Sequence, residues 1–347
     1  GELQVSSTGT QRTSPGLWAL AWRRLRRDRV AVACLCVVAV YMALMLGSML
    51  GLVAADWEDE AGVSYARPAF AARLQHRPST EGAAPAEQRA PAVDLSDIDP
   101  LAPRYDEWRQ RAGELGVTLQ ARSETLILGG DQWGRDVLKK TIKGSEVSIM
   151  VGLAAALIAT LIGTLLGALA GYWGGRLNDL MEWVYNVFTS IPYILLILAF
   201  AAVLGRGVTT IIVILGLTGW TGIYRLVRAE YLKHREREYV LAAKAIGVSH
   251  AKRMFAHILP NTSHVVLVQF SLLVVAFIKT EVILSYLGLG VPVEVVSWGT
   301  ILAESQDELV MGKWWQLTVA GAAMAMLVTA VSLLTDAMRD ALDPKLR

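Results

Sequence analysis

Apolar residues in this chain gather in long blocks, without the short alternations of a soluble domain. Val30–Ala55 is one unbroken apolar run. At about 1.5 Å per residue it exceeds the roughly 30 Å hydrocarbon core of a bilayer, so it predicts an uncleaved first transmembrane helix over residues 30–55. Five further apolar blocks, Ser148–Tyr172, Asp179–Leu204, Thr209–Val227, Ser263–Leu289 and Trp315–Met338, predict an all-α membrane protein of six spans. The second block carries Gly163, Gly167 and Gly171 at four-residue spacing. Small residues on one helical face let another backbone approach closely in lipid, either within the chain or at a subunit interface.

Polar segments divide these blocks. Residues 1–16 are rich in Ser, Thr and Gln and are expected to be disordered. Residues 17–29 set Trp18 and Trp22 beside five arginines, a pairing that marks a membrane–water interface on the cytoplasmic side. Residues 1–29 therefore read as a cytoplasmic tail with an interfacial basic segment. Residues 56–147 read as a long periplasmic insertion, with Pro68, Pro78, Pro85, Pro91, Pro100 and Pro103 breaking its first two thirds. One short helix is expected there, Tyr105–Leu115, with an acidic pair at its start and Gly116 as its stop. The remaining residues, 148–338, form a five-helix core that includes a loop at 228–262, followed by a short tail at 339–347.

Charge orients this frame. The 228–262 loop holds Arg228, Lys233, Arg235, Arg237, Lys244, Lys252 and Arg253. The loop at 291–314 holds Lys313 against Glu294, Glu304, Asp307 and Glu308. By the positive-inside rule both termini and the 228–262 loop are expected in the cytoplasm. Lys139, Lys140 and Lys143, just ahead of the second block, run mildly against that orientation.

Composition agrees with lipid as the solvent: 54% hydrophobic residues, 18% charged, and a mean hydropathy of +0.41, where a soluble domain carries about 25% charged residues. A net charge of +2 gives no reason to expect a nucleic-acid partner. The two cysteines, Cys34 and Cys36, lie two apart in the first apolar run, a spacing that favours neither a disulfide nor a metal clip. The chain has no G-x-x-x-x-G-K-[ST] phosphate loop, no His-Glu-x-x-His pair and no Gly-x-Ser-x-Gly turn. His234, His250 and His257 fall in the basic loop and read as interface residues.

Four separated motifs carry a resemblance. Leu128-Gly129-Gly130-Asp131-Gln132-Trp133-Gly134-Arg135-Asp136-Val137-Leu138 precedes the second block. Glu238-Tyr239-Val240-Leu241-Ala242-Ala243-Lys244-Ala245-Ile246-Gly247 is followed by His257-Ile258-Leu259-Pro260-Asn261. Leu284-Ser285-Tyr286-Leu287-Gly288-Leu289-Gly290-Val291 is followed by Ser297-Trp298-Gly299. Trp314-Trp315 and Arg339-Asp340-Ala341-Leu342-Asp343-Pro344 close the series. Together they resemble the inner-membrane permeases of bacterial dipeptide, oligopeptide and nickel ABC importers, specifically the second of the two permeases such systems carry. The second motif is similar to the EAA loop of ABC importers, with Leu241 where that loop usually carries Glu, and Gly130 replaces the Thr usual in the first.

The resemblance implies a type I importer permease fold in the bacterial inner membrane, forming half of a translocation path for short peptides. It implies no cofactor in this chain. ATP and Mg would be bound by two ATP-binding partner subunits, and the other partners would be a second permease and a periplasmic substrate-binding protein. Glu238, Leu241, Ala242, Ala243, Gly247, Leu259 and Pro260 would form the ATPase-coupling loop. Residue by residue, this loop reads as a small-sided helix over 239–246, a left-handed stop at Gly247, and a second helix from Ser249 to Leu259, with Pro260 opening the next span. Asp131, Gly134, Arg135 and Asp136 read as a turn-forming network outside the second span, with no third ligand for a metal. Lys279 and Glu281 are charges inside the fifth block and candidate path residues. Two alternatives stay open on the sequence: a nickel-chelate importer permease and an ion-gradient-driven secondary transporter.

Overall fold

The computed structural model describes residues 17–71, 104–114 and 122–342. The tail at 1–16, Pro78, Pro85, Pro91, Pro100, Pro103, Gly116, Asp343 and Pro344 lie outside the described residues. The chain forms two units, residues 1–56 with 139–347, and residues 57–138.

The first unit opens with α1 (Leu17–Arg27) and α2 (Arg29–Met49). Asp28 separates them, and its carboxylate accepts the N–H groups of Val30 (2.8 Å) and Ala31 (3.3 Å), capping α2. The helix stops at Met49, before the apolar run ends, and the chain turns at Gly51 with φ of 68°.

In the second unit, β1 (Gly62–Pro68) pairs in parallel with β2 (Ser123–Leu126), and α3 (Tyr105–Glu114) lies between them in sequence. Asp106 and Glu107 occupy the first turn of α3, where the helix dipole favours negative charge.

α4 runs from Val137 to Trp173, well ahead of the expected start at Ser148. Its early lysines extend the helix because each has a partner. Lys139 bonds Asp56 at 2.5 Å, buried Lys140 pairs with Glu304 at 2.6 Å, and Lys143 pairs with Glu146 at 2.7 Å. The Lys139 ammonium holds the Asp56 carboxyl below the usual carboxylate range.

The expected span at 179–204 is instead two helices, α5 (Gly175–Ser190) and α6 (Tyr193–Leu204), meeting at 81°. Pro192 lacks an N–H and disfavours helix at the residue before it, and Ile191 is extended there (φ −95°, ψ 130°). α7 (Val208–Thr218) and α8 (Thr221–His234) make one span that continues past the expected end at Val227. α9 (Glu238–Ala245), α10 (His250–Tyr286), α11 (Trp298–Val310) and α12 (Trp315–Leu342) complete the unit.

α10 corrects the expectation that a separate helix ends at Leu259. The helix passes straight through Pro260, with a wider π turn over Arg253–Ile258. A proline ring crowds the carbonyl four residues back and donates no bond to it. That carbonyl, of Ala256, lies inside the π turn, which relieves the crowding.

Among the described residues five helical spans are long and apolar enough to cross a bilayer, and the bent α5–α6 pair makes a sixth. α12 packs against α1, α2, α10 and α11. The glycine stripe of α4 packs within the chain, against α8. A Cβ added at Gly163 would lie 2.0 Å from Ile223 Cγ2, one at Gly167 would lie 2.7 Å from the Tyr224 carbonyl oxygen, and one at Gly171 would lie 2.6 Å from that of Arg228.

Gly167→Val is therefore expected to overpack this seam and cost about 1–3 kcal/mol, lowering the thermal midpoint of the detergent-solubilised protein. Gly321→Ala, in α12 with open space at the added Cβ, should leave the midpoint equal or higher, since Ala is about 1 kcal/mol the better helix former. A parental midpoint for Gly167→Val contradicts the α4–α8 packing.

Candidate coupling and translocation sites

The loop between α8 and α10 is a short helix held by one face. Val240 and Ala243 of α9 are buried, and Val240 joins a cluster with Ala168, Ile223, Val227, Tyr231, Met254 and Ile258. The Tyr231 hydroxyl donates to the Met254 carbonyl at 3.0 Å, tying α8 to α10 beneath α9. Leu259 packs against the edge of this cluster, while Pro260 is exposed.

α9 ends in a Schellman motif. The Val248 N–H reaches the Ala243 carbonyl (3.0 Å), the Gly247 N–H reaches that of Lys244 (3.1 Å), and Gly247 has φ of 80°. Ser249 then accepts the Lys252 N–H and starts α10. The loop turns on local bonds, so its outward face is fixed. That face carries Glu238, Leu241, Ala242, Ala245 and Ile246, with Ile246 81% exposed against 5% for Ala243. Ala245 belongs to the small-sided surface read from the sequence, whereas Ile246 had not been singled out as part of that face. The available signal was its position just before the glycine stop, opposite Val240 and Ala243 on the helix.

In the second unit the Asp131 carboxylate accepts the N–H groups of Trp133 (2.9 Å) and Arg135 (3.0 Å). Asp136 accepts the Leu138 N–H (2.8 Å), capping the start of α4. Gly134 has φ of 80°, and a Cβ there would fall 2.0 Å from the Gly62 carbonyl oxygen. Gly62 and Tyr65 of β1 donate to the carbonyls of Gly134 and Asp131, both at 2.9 Å. The Arg135 guanidinium lies over the Trp57 ring, 5.3 Å from its centroid. The four residues form a loop tied through backbone amides.

Lys279 and Glu281 face different sides of α10. Lys279 is exposed and Glu281 is fully buried. The Glu281 carboxyl receives the Ser148 hydroxyl of α4 (2.6 Å) and the Ser285 hydroxyl (2.7 Å). Those hydroxyls in turn accept the Trp298 N–H (3.2 Å) and the Val291 N–H (3.2 Å). The Trp298 indole N–H donates to the Thr141 carbonyl (3.1 Å), and its ring meets Tyr41 of α2 edge-on at 6.1 Å. Tyr41 donates to the Ala323 carbonyl of α12 (2.8 Å). Ser297 caps α11 in a capping box with Thr300. The α10–α11 turn is thus bonded to α4 and packed on α2, with the Glu281 carboxyl at its centre.

Against this geometry, the family model described as "Binding-protein-dependent transport system inner membrane component" matches residues 163–347. The chain belongs to this family of transport permeases. A second model, described as "N-terminal TM domain of oligopeptide transport permease C", matches residues 16–53. The chain is 40% identical over 219 residues to the dipeptide transport system permease protein DppC of Bacillus subtilis, covering 63% of this chain and 68% of that protein. It is 37% identical over 247 residues to the oligopeptide transport system permease protein OppC of the same organism, covering 71% and 81%. A dipeptide permease DppC of Lactococcus lactis is 28% identical over 325 residues, covering 94% of this chain and 90% of that protein. Membership in the binding-protein-dependent permeases makes this a multi-pass membrane protein of the type I importer permease fold, a transport subunit and not an ATPase. The reading as an ion-gradient-driven secondary transporter is set aside.

Asp131→Ala removes a buried acceptor that serves two amides and is expected to cost about 1–3 kcal/mol, while Asp131→Asn, which keeps one amide oxygen, should recover part of that loss. Thermal unfolding with and without a chelator checks the account. A chelator-sensitive midpoint in the parental protein would contradict a loop whose aspartates serve backbone amides.

Proposed function

We propose that this permease forms half of the translocation path of an ATP-driven importer for short peptides in the bacterial inner membrane. Both termini and the α8–α10 loop lie in the cytoplasm. A second permease supplies the other half of the path, a periplasmic substrate-binding protein delivers the peptide, and two ATP-binding subunits hold ATP and Mg. The observation that carries the coupling role is α9. One face is anchored in the chain's own core, and the other offers small or apolar side chains at a fixed angle to α10. A helix held this way transmits a push from a partner subunit into α10, because the π turn and Pro260 leave the helix continuous. The names of the relatives support peptides over nickel chelates as cargo.

Coupling is tested on the outward face. Ala242→Trp and Ala245→Glu should abolish peptide uptake and co-purification of the ATP-binding subunits while the protein still inserts. Leu241→Glu should be tolerated, since it restores the residue usual at that place in the EAA loop. Ala243→Glu should instead lower the amount of folded protein, because it buries a charge in the core beneath α9. Normal co-purification with Ala242→Trp and Ala245→Glu would contradict this docking face. Uptake of labelled dialanine should fall in cells lacking the gene. Loss of nickel uptake with dialanine uptake intact would overturn the peptide assignment.

A further inference from the structure

We propose that the Lys279 ammonium is the contact on the translocation path for the free carboxylate of the substrate, an assignment that rests on the peptide-importer reading above. α10 is apolar nearly all round, so exposure is what sorts its faces. Val274, Val275, Ile278, Glu281 and Val282 are buried, whereas Ala276, Lys279, Ile283 and Tyr286 are exposed and share one helical face. Lys279 makes no hydrogen bond or ion pair within the chain among the described residues. It stands seven residues before the helix ends at Tyr286, about 10 Å along the axis. An unpaired ammonium at that depth is costly in lipid, and such residues face water-filled passages or polar partners.

A second observation extends the same face. Gln269, two turns before Ala276, lines a cavity of about 360 Å³ together with Leu226, His264 and Arg339. The polar side chains of that cavity are a guanidinium, an imidazole and an amide, with no carboxylate among its lining residues. Lys279 and Gln269 are ten residues apart, about 15 Å, a span close to that of an extended peptide of four residues. A track that begins at an ammonium and ends at a guanidinium favours the carboxylate end of a peptide at each stage. The buried Glu281 is withdrawn from this face, so it does not cancel the charge.

The test compares dialanine with its C-terminal amide in vesicles carrying the whole importer. The parental complex is expected to carry the acid better. Lys279→Gln should lower acid uptake about tenfold or more, the size of one charge-assisted hydrogen bond, and should bring the acid-to-amide ratio toward one. Lys279→Arg should keep most of both. The binding protein is the same in every arm, so its own preference cancels when the ratios are compared between variants. A Lys279→Gln complex that retains the parental ratio overturns the proposal. Should that variant fail to assemble, Lys279→Cys is made with Cys34 and Cys36 replaced by Ala and treated with a water-soluble aminoethylating thiol reagent. Restored preference for the acid supports the assignment, and failure of the reagent to reach the thiol overturns it. A parental complex that carries neither compound overturns the peptide reading itself, and this assignment with it.

Discussion

A carboxyl group buried between membrane helices must find its partners inside the protein, and among the described residues Glu281 meets that constraint with serine hydroxyls. Each carboxyl oxygen receives a serine O–H, and each serine receives a backbone N–H in turn. In lipid the unpaired alternative is expensive for every member of such a chain. The bonds therefore hold α4, α10 and the turn into α11 in one arrangement. Trp298 passes that arrangement on, through its indole bond to α4 and its edge contact with Tyr41 of α2. The ion pair between buried Lys140 and exposed Glu304 adds a second tie between α4 and α11.

The other end of α10 joins α9. α9 is fixed by Val240 and Ala243 on one side, and the Schellman turn at Gly247 sets its angle to α10. Between α9 and the serine cluster runs one helix, His250–Tyr286, that includes its own π turn. Under the coupling role proposed above, a displacement imposed on α9 would reach the serine cluster along this one helix.

Local features were legible in the sequence, and facing was not. The glycine stop of α9 and the Ser249 cap could be read because each depends on a few neighbouring residues. The burial of Ala243 could not, since a short helix rich in alanine gives no strong apolar stripe. The opposite fates of Lys279 and Glu281 were hidden for a related reason: α10 is apolar on every side, so periodicity names no inner face. The early start of α4 was masked by three lysines whose partners, Asp56, Glu304 and Glu146, lie up to 164 residues away. The passage of α10 through Pro260 depends on a π turn, which the sequence rules for proline do not anticipate. The motifs that carry the resemblance, by contrast, include the residues that cap and tie: Asp131, Asp136, Ser285 and Trp298.

The central claim is that Glu281 and Ser148 form a structural tie and act together. A double-mutant cycle on thermal unfolding tests it, using Ser148→Ala, Glu281→Ala and the pair. The account predicts that the two losses overlap, with a coupling of about 1–3 kcal/mol. Losses that add to within about 0.5 kcal/mol would contradict it.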